Sequence, residues 1–334
     1  MFEHLIIIRV IHFVTGLLLL VAALPALANT YTDHDRAKVF IEEMATKHQF
    51  AREQLQDWFS NAQKKQTILD AISRPAEKTK TWAEYRRIFL NPRRIERGIK
   101  FWEQNQIVLE RAEKEFGVPA EIIVAIIGVE TSYGRNKGNF RVIDALSTLA
   151  FDYPPRSNFF YGELEEFLLL TREQNQNPLN IKGSYAGAMG YGQFIPSSYR
   201  AYAIDYNQDG FADIWDNLED AVGSVANYFR RHGWRAEEMI AVRSRVDNNY
   251  DEKIVNQSLK PSVSVTDLKF GGFEPTIKIP GEEKVSVMKL QGDWGDEFWI
   301  GLHNFYVITR YNHSRLYAMA VWQLSQAILQ ARAS

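Results

Sequence analysis

Glu130 closes the apolar run Ile122-Ile123-Val124-Ala125-Ile126-Ile127-Gly128-Val129 and is followed by Thr131-Ser132-Tyr133-Gly134. A carboxyl group at the mouth of such a run is poorly solvated as an anion, and desolvation raises a carboxylic pKa. A carboxyl that stays protonated near neutral pH can serve as the general acid in glycosidic-bond cleavage. A glutamate that merely caps or solvates the end of a core helix would read the same way. The segment alone leaves both readings open.

A second stretch could hold a metal. In Asp205-Tyr206-Asn207-Gln208-Asp209-Gly210-Phe211-Ala212-Asp213-Ile214-Trp215-Asp216 the residues match an EF-hand loop at positions 1, 3, 5 and 6. Phe211 offers its carbonyl at position 7, Asp213 falls at position 9, and Asp216 stands at position 12 in place of the usual Glu. Asp is one methylene shorter, so a weaker calcium site is expected, and extracellular calcium modules do work at roughly 10⁻⁴ to 10⁻³ M. With every ligand in one loop, the ion is expected to be structural. The competing reading is an Asx-rich turn without metal.

A third stretch is Gly183-Ser184-Tyr185-Ala186-Gly187-Ala188-Met189-Gly190-Tyr191-Gly192-Gln193. Its four glycines let the backbone approach either a ligand or a packed helix. It is not a phosphate loop, since no Gly-Lys-Ser/Thr ending and no apolar strand accompany it.

Composition excludes several other chemistries. The absence of cysteine removes disulfides, thiolate metal sites, Cys nucleophiles and Cys-linked lipid anchors. The seven histidines are scattered without a His-Glu-x-x-His pairing, which argues against a zinc hydrolase. A net charge of −2 supplies no field to recruit nucleic acid or an anionic membrane. The 8 Trp, 15 Tyr and 20 Phe suit a cleft for sugar rings, and equally a large core.

The elements that must position these groups are mostly helical. With 334 residues, 46% of them hydrophobic, the chain can fill two or three subdomains. Residues 33–115 alternate charged and apolar positions at helical spacing, punctuated by Pro75 and Pro92, with Trp82 and Tyr85 as candidate cleft aromatics. Gly117-Val118-Pro119 stops one helix and starts the next, which ends at Glu130. Helices are expected over 144–149 and 162–171, joined by Tyr153-Pro154-Pro155-Arg156, and on both flanks of the acidic loop. Between 240 and 311, Val263-Ser264-Val265, Thr276-Ile277-Lys278-Ile279 and Val285-Ser286-Val287-Met288 alternate with period two around Gly271-Gly272 and Pro280-Gly281, predicting a small antiparallel sheet. Residues 314–331 return to a helix.

The first residues read as a targeting segment. Arg9 and His12 precede the apolar residues 13–24, then Pro25 and Ala26-Leu27-Ala28, which predicts a secretory signal cleaved after Ala28. The alternative is an uncleaved anchor spanning residues 5–24. Either way the protein is expected to meet its substrate outside the cytoplasm.

Four motifs in order, with the acidic loop between the third and fourth, resemble the lytic murein transglycosylase B family. They are Glu130-Thr131-Ser132-Tyr133-Gly134; Tyr153-Pro154-Pro155-Arg156 through Phe159-Phe160; Ser184 through Gln193 with Phe194-Ile195-Pro196-Ser197-Ser198; and Tyr311-Asn312-His313-Ser314-Arg315-Leu316-Tyr317-Ala318. The resemblance implies an α+β, mainly α fold: a lysozyme-like helical core (116–235, with the loop 205–216), a helical domain (29–115), a small antiparallel β subdomain (236–311) and a C-terminal helix (312–334). It also implies cleavage of the β-1,4 bond between N-acetylmuramic acid and N-acetylglucosamine in peptidoglycan, leaving a 1,6-anhydromuramyl end. Glu130 would act as acid and then base; Ser184 and Gln193 would contact the muramyl region; Tyr311, Asn312 and Tyr317 would complete the cleft. Arg156, Tyr133 and Met189 join the expected substrate-binding set. No organic cofactor is implied. Peptidoglycan strands are the expected partner, along with cell-wall synthesis or remodelling proteins, and the chain is expected to be a monomer.

Two departures stand out. Family members often carry two arginines where this chain has Pro155-Arg156, and many are lipoproteins, whereas no cysteine is present to acylate. Ordinary glycosidases need two carboxylates about 5 to 9.5 Å apart. Asp144, Asp152 and Glu163 lie nearby in sequence, but they read as helix-surface and capping residues. One carboxylate suffices if the substrate's own C6 hydroxyl attacks, because intramolecular attack carries a large effective molarity. The alternatives are a muramidase that adds water, a non-catalytic peptidoglycan binder and a calcium-dependent interaction module.

Overall fold

The computed structural model describes residues 30–73 and 80–334; the expected signal segment and Pro75 lie outside them. Helices α1 (Asp35–His48), α2 (Arg52–Asn61) and α3 (Gln66–Ile72) come first, followed by α4 (Trp82–Phe89), α5 (Pro92–Gln104), α6 (Gln106–Phe116) and α7 (Ala120–Thr131). A two-residue strand β1 (Phe140–Arg141) leads into α8 (Val142–Asp152). A short 3-10 turn (Pro154–Arg156) then opens onto α9 (Ser157–Glu173). Strand β2 (Lys182–Gly183) pairs antiparallel with β1, and α10 (Pro196–Tyr202) and α11 (Leu218–Arg231) flank the acidic loop. The sheet region holds β3 (Ala241–Val246), β4 (Val263–Ser264), α12 (Val265–Phe270), β5 (Phe273–Pro275), β6 (Lys284–Gly292) and β7 (Gly295–Gly301). Helices α13 (His303–Tyr311) and α14 (Arg315–Arg332) complete the chain.

The mainly helical α+β fold expected from the sequence is the one observed. Helix α7 is its axis. Gly117, at φ 71°, ends α6 in the left-handed region, and Pro119 opens α7 from the position before its first turn. The residues from Ala120 to Val129 are all buried except Glu121, as befits a helix apolar on every side. It is enclosed by α5, α6, α11 and α14. Each buried isoleucine contributes roughly 1.5–3 kcal/mol, so burial of this run anchors the helix that carries Glu130 in the core.

The expected domain boundaries shift. Helices α1–α3 share a core with α8 and α9 through Phe40, Phe59, Leu146 and Phe167. The other half of the expected helical domain, α4–α6, packs with α7, α11 and α14 through Trp82, Phe101, Leu109 and Ile126. The cut near residue 115 therefore crosses a single core.

The sheet also differs in detail. Its order is β4-β6-β7-β3-β5, all pairs antiparallel, over a separate small core. Val265 begins α12 instead of extending a strand, because the Ser264 hydroxyl accepts from the Asp267 amide and caps that helix. Residues 276–279 form no strand; Ile279 is buried and Ile277 exposed, so the alternation there records an extended chain covering the core without a ladder. The expected β subdomain ends at Gly301 and not at 311, since Phe305, Val307 and Ile308 of α13 belong to the main helical core.

Candidate active site

Glu130 stands on the last turn of α7, half-buried, where that helix leaves the core. The backbone then turns sharply: Ser132 (φ 53°) and Tyr133 (φ 63°) are left-handed, with their amides on the carbonyls of Gly128 and Ile127. Tyr317, buried in the first turn of α14, donates its hydroxyl to Glu130 Oε1 at 2.5 Å. Its ring stacks on Tyr311, with centroids 6.5 Å apart and planes 10° from parallel. The Tyr311 hydroxyl donates to the Gly192 carbonyl at 2.6 Å. Burial first, and then the Glu130 charge, push both phenols well above the ordinary tyrosine pKa. Both hydroxyls therefore keep their protons and act as donors.

The glycine-rich segment is tied to this centre. Thr131 donates to the Tyr191 carbonyl at 3.1 Å and accepts from the Gly134 amide, joining the end of α7 to the segment's tip. A Cβ on Gly192 would lie 2.7 Å from the Tyr311 hydroxyl, one on Gly190 2.3 Å from the Ile214 carbonyl oxygen, and one on Gly187 2.5 Å from Leu146. Of the two readings of these glycines, close packing against the protein's own chain is the one observed.

The sequence-predicted binding residues divide. The Ser184 hydroxyl accepts from the amides of Ala186 and Ala188, which shapes its loop and leaves the side chain partly exposed. Gln193, at φ 52°, donates its amide to the carbonyls of Lys137 and Gly190. Asn312 caps α13 just before the turn into α14. Two expectations are corrected. Met189 is fully buried and its backbone bridges Gly183 and Phe194, so its side chain is core. Tyr133 turns inward, donating to the Arg94 carbonyl at 2.9 Å with its ring over Gly98 and Gly128, so it braces α5 against α7. Arg156 is exposed on the 3-10 turn, its guanidinium 4.3 Å from the Phe159 ring centroid.

The neighbouring carboxylates are committed elsewhere. Asp144 accepts from the Gln63 amide and from Arg141; Asp152 accepts from Tyr31 and Lys64. Glu163 is buried, which raises its pKa, and both its oxygens accept from Ser197 at the start of α10. Asp144 and Glu163 are thus buried rather than on the expected helix surface.

A model of the transglycosylase SLT domain matches residues 32–326. The chain belongs to the SLT-domain lytic transglycosylases. It is 44% identical over 311 residues to the membrane-bound lytic murein transglycosylase B of Escherichia coli (strain K12), covering 90% of this chain and 85% of that protein. Its structure is similar to that of catenated lytic transglycosylase SltB1 from Pseudomonas aeruginosa, with a TM-score of 0.87 and 52% identity over 90% of this chain and 99% of that one. The E. coli lytic transglycosylase Slt35 in complex with calcium matches with a TM-score of 0.84 and 44% identity over 92% of this chain and 96% of that one.

In this transglycosylase the acidic loop folds differently from the expected ligand set. Asp205, Asp209 and Asp220 can each bring a carboxylate oxygen within 4.8 Å of the others. Asp216 does not join them; its side chain is 85% exposed and pairs with Lys137 at 3.0 Å. The loop closes four residues later because α11 begins only at Leu218, which turns Asp220 in its first turn back under the loop. Buried there, Asp220 accepts from the amides of Tyr206, Asn207 and Asp213. Burial, with a further push from the Asp205 charge, raises its pKa. The sequence signal for it was the acidic pair Glu219-Asp220 just past the twelfth loop position. Lys137 went unnoticed too: its ammonium donates to the Trp215 carbonyl and its own carbonyl accepts from Gln193, linking the acidic loop to the glycine-rich segment.

Proposed function

We propose that the transglycosylase cleaves the β-1,4 bond between N-acetylmuramic acid and N-acetylglucosamine with Glu130 as its single acid and base. The observation that carries this reading is the Glu130 carboxyl on the last turn of α7, with the Tyr317 hydroxyl donating to its Oε1. Protonated Glu130 gives its proton to the glycosidic oxygen as the bond to the muramyl C1 breaks. The muramyl acetamido oxygen assists at C1, as in substrate-assisted glycosidases, with Ser184 orienting that group. The C6 hydroxyl then attacks C1 and returns its proton to Glu130, so no water is consumed and a 1,6-anhydro ring forms.

Purified sacculi digested with the enzyme and examined by mass spectrometry are expected to release anhydromuramyl ends; reducing muramyl ends would mean hydrolysis instead. Glu130→Gln is expected to keep glycan binding and lose about 10²- to 10⁴-fold in turnover, the range for general acid–base catalysis. An active variant would remove this mechanism.

For the acidic loop we propose calcium bound by Asp205, Asp209 and Asp220, with Asn207, Asp213 and the Phe211 carbonyl completing a set of hard oxygen donors. A buried carboxylate beside a second one favours a cation, and the calcium complex of Slt35 supports the choice of ion. When bound, the ion supplies rigidity and no chemistry. The enzyme is proposed to act in the periplasm after removal of residues 1–28, or from the inner membrane if they are retained. No helix among the described residues is long and apolar enough to cross a membrane, and the E. coli relative is membrane-bound. Peptidoglycan strands are its proposed partner.

A further inference from the structure

The acidic loop and the glycine-rich segment meet along one continuous set of contacts. The Asp220 carboxylate accepts from the Asp213 amide at 2.8 Å. The Asp213 carboxylate accepts in turn from the amides of Trp215 and Asp216, both at 2.9 Å. Lys137, on the connection between α7 and β1, holds both of those residues: its ammonium donates to the Trp215 carbonyl and, at 3.0 Å, to the Asp216 carboxylate. The same ammonium lies 4.8 Å from the centroid of the Tyr191 ring, and the Lys137 carbonyl accepts from the Gln193 side chain at 3.2 Å. Tyr191 carries the contact onward, since its carbonyl accepts from Thr131, the residue after Glu130. The Lys137 side chain is 28% exposed, so these contacts are screened less than those of a free surface lysine.

Loop and segment also touch directly, through the Tyr191 amide on the Ile214 carbonyl at 3.0 Å. That contact sets how closely the two chains run. Lys137 reaches past it to Gln193, whose side-chain amide is shared between the Lys137 and Gly190 carbonyls and turns with them. Asp213 belongs to the ligand set proposed for calcium. Its carboxylate, fixed on a cation, also fixes the two amides that it caps, and through them Lys137. Chains of hydrogen bonds of this kind carry coupling between sites.

We propose that Lys137 is the positioning residue that couples cation binding in the acidic loop to glycan binding at the glycine-rich segment. The proposal rests on both the Glu130 cleft and the calcium reading, and it adds a dependence that neither contains. A loop ordered beforehand removes an ordering cost that glycan would otherwise meet, so the sign is positive. Linkage makes the effect reciprocal: each ligand tightens the other by the same factor.

Isothermal titration tests this on the full chain in a Glu130→Gln background, which prevents turnover. The probes are calcium chloride and chitotetraose, a neutral β-1,4 oligomer of N-acetylglucosamine. Saturating calcium is expected to lower the chitotetraose Kd about fivefold or more, and saturating chitotetraose to lower the calcium Kd equally. Lys137→Met keeps the backbone carbonyl and most of the length but removes the charge; both probes are expected still to bind, with each ratio falling to about one. Lys137→Arg is expected to restore most of the coupling, and Asp216→Asn, which leaves the Trp215 contact, to fall between. In the active enzyme, calcium is expected to lower KM on sacculi at unchanged kcat, and to do neither in Lys137→Met.

A ratio of one with Lys137 in place overturns the proposal. So does a ratio that survives in Lys137→Met, which would assign the coupling to the Ile214–Tyr191 contact. If Lys137→Met does not fold, Asp216→Asn decides, an undiminished ratio there being the refuting result. Absence of calcium binding would strike at the loop's ligand set, and absence of chitotetraose binding at the cleft; the proposal falls with either. Both are read from the single-probe titrations, so they are distinguishable from loss of coupling alone.

Discussion

Tyr317→Phe isolates what the second group in the site does. The ring is buried and stacked on Tyr311, so phenylalanine fills the same space, and the perturbation is one hydroxyl. That hydroxyl donates to Glu130 Oε1 at 2.5 Å. A hydrogen bond between neutral groups, as here with Glu130 protonated, is worth about 0.5–1.5 kcal/mol net. If that energy serves to hold the carboxyl in its productive orientation, kcat falls by about two- to tenfold, at 1.36 kcal/mol per decade. KM is expected to change little, because the hydroxyl faces Glu130 and not the sugar. The pH profile gives an independent sign. A donor to the carboxylate favours its ionised form, so removing it moves the alkaline limb of kcat/KM to higher pH. The assay is anhydromuropeptide release from sacculi across pH, with thermal unfolding as the control for folding. A variant with unchanged kcat and an unmoved alkaline limb would refute the assignment of Tyr317 as the group that positions Glu130.

Three further outcomes follow from the geometry. Gly192→Ala would put a Cβ 2.7 Å from the Tyr311 hydroxyl and 3.1 Å from Val225, so activity on sacculi is expected to drop more than the thermal midpoint does. Asp220→Asn is expected to abolish the calcium-dependent rise in melting temperature, while Asp216→Asn preserves it; the reverse result in calorimetry would restore the EF-hand register. Burial holds the His232 imidazole, stacked on Tyr228 at 4.1 Å, below its ordinary 6.5, against the opposing hydrogen bond to the Tyr228 carbonyl. The unfolded chain then takes the proton first. Stability present above pH 6.5 is lost as pH falls toward the lower folded value, and His232→Gln is expected to flatten that part of the denaturation profile.

Much of the site was legible along the chain because it is local. The helix ending at Glu130 announces itself through Gly117, Pro119 and nine apolar or small residues, and the family motifs name Tyr311 and Tyr317. Met189 and Tyr133 were misread because membership in a motif says nothing about direction. One side chain on each of two short turns points into the core, and only packing against Gly98, Gly128 and Phe194 decides which. The sheet was legible as extended chain, but not as ladder, since alternation of burial is the same for a paired strand and for a strap across a core. Asp220 was missed for a related reason: a loop template counts residues, whereas an ion's ligands are chosen by where the chain returns.

By itself the sequence determined the fold class and singled out Glu130 as the candidate carboxyl, because helix periodicity, caps and residue chemistry act within a few residues of their cause. Tertiary structure alone decided which tyrosine reaches Glu130 and which aspartate closes the acidic loop. Those contacts join residues 187 positions apart in the case of Glu130 and Tyr317. They depend on how α7, α11, α14 and the sheet meet, which no local pattern encodes.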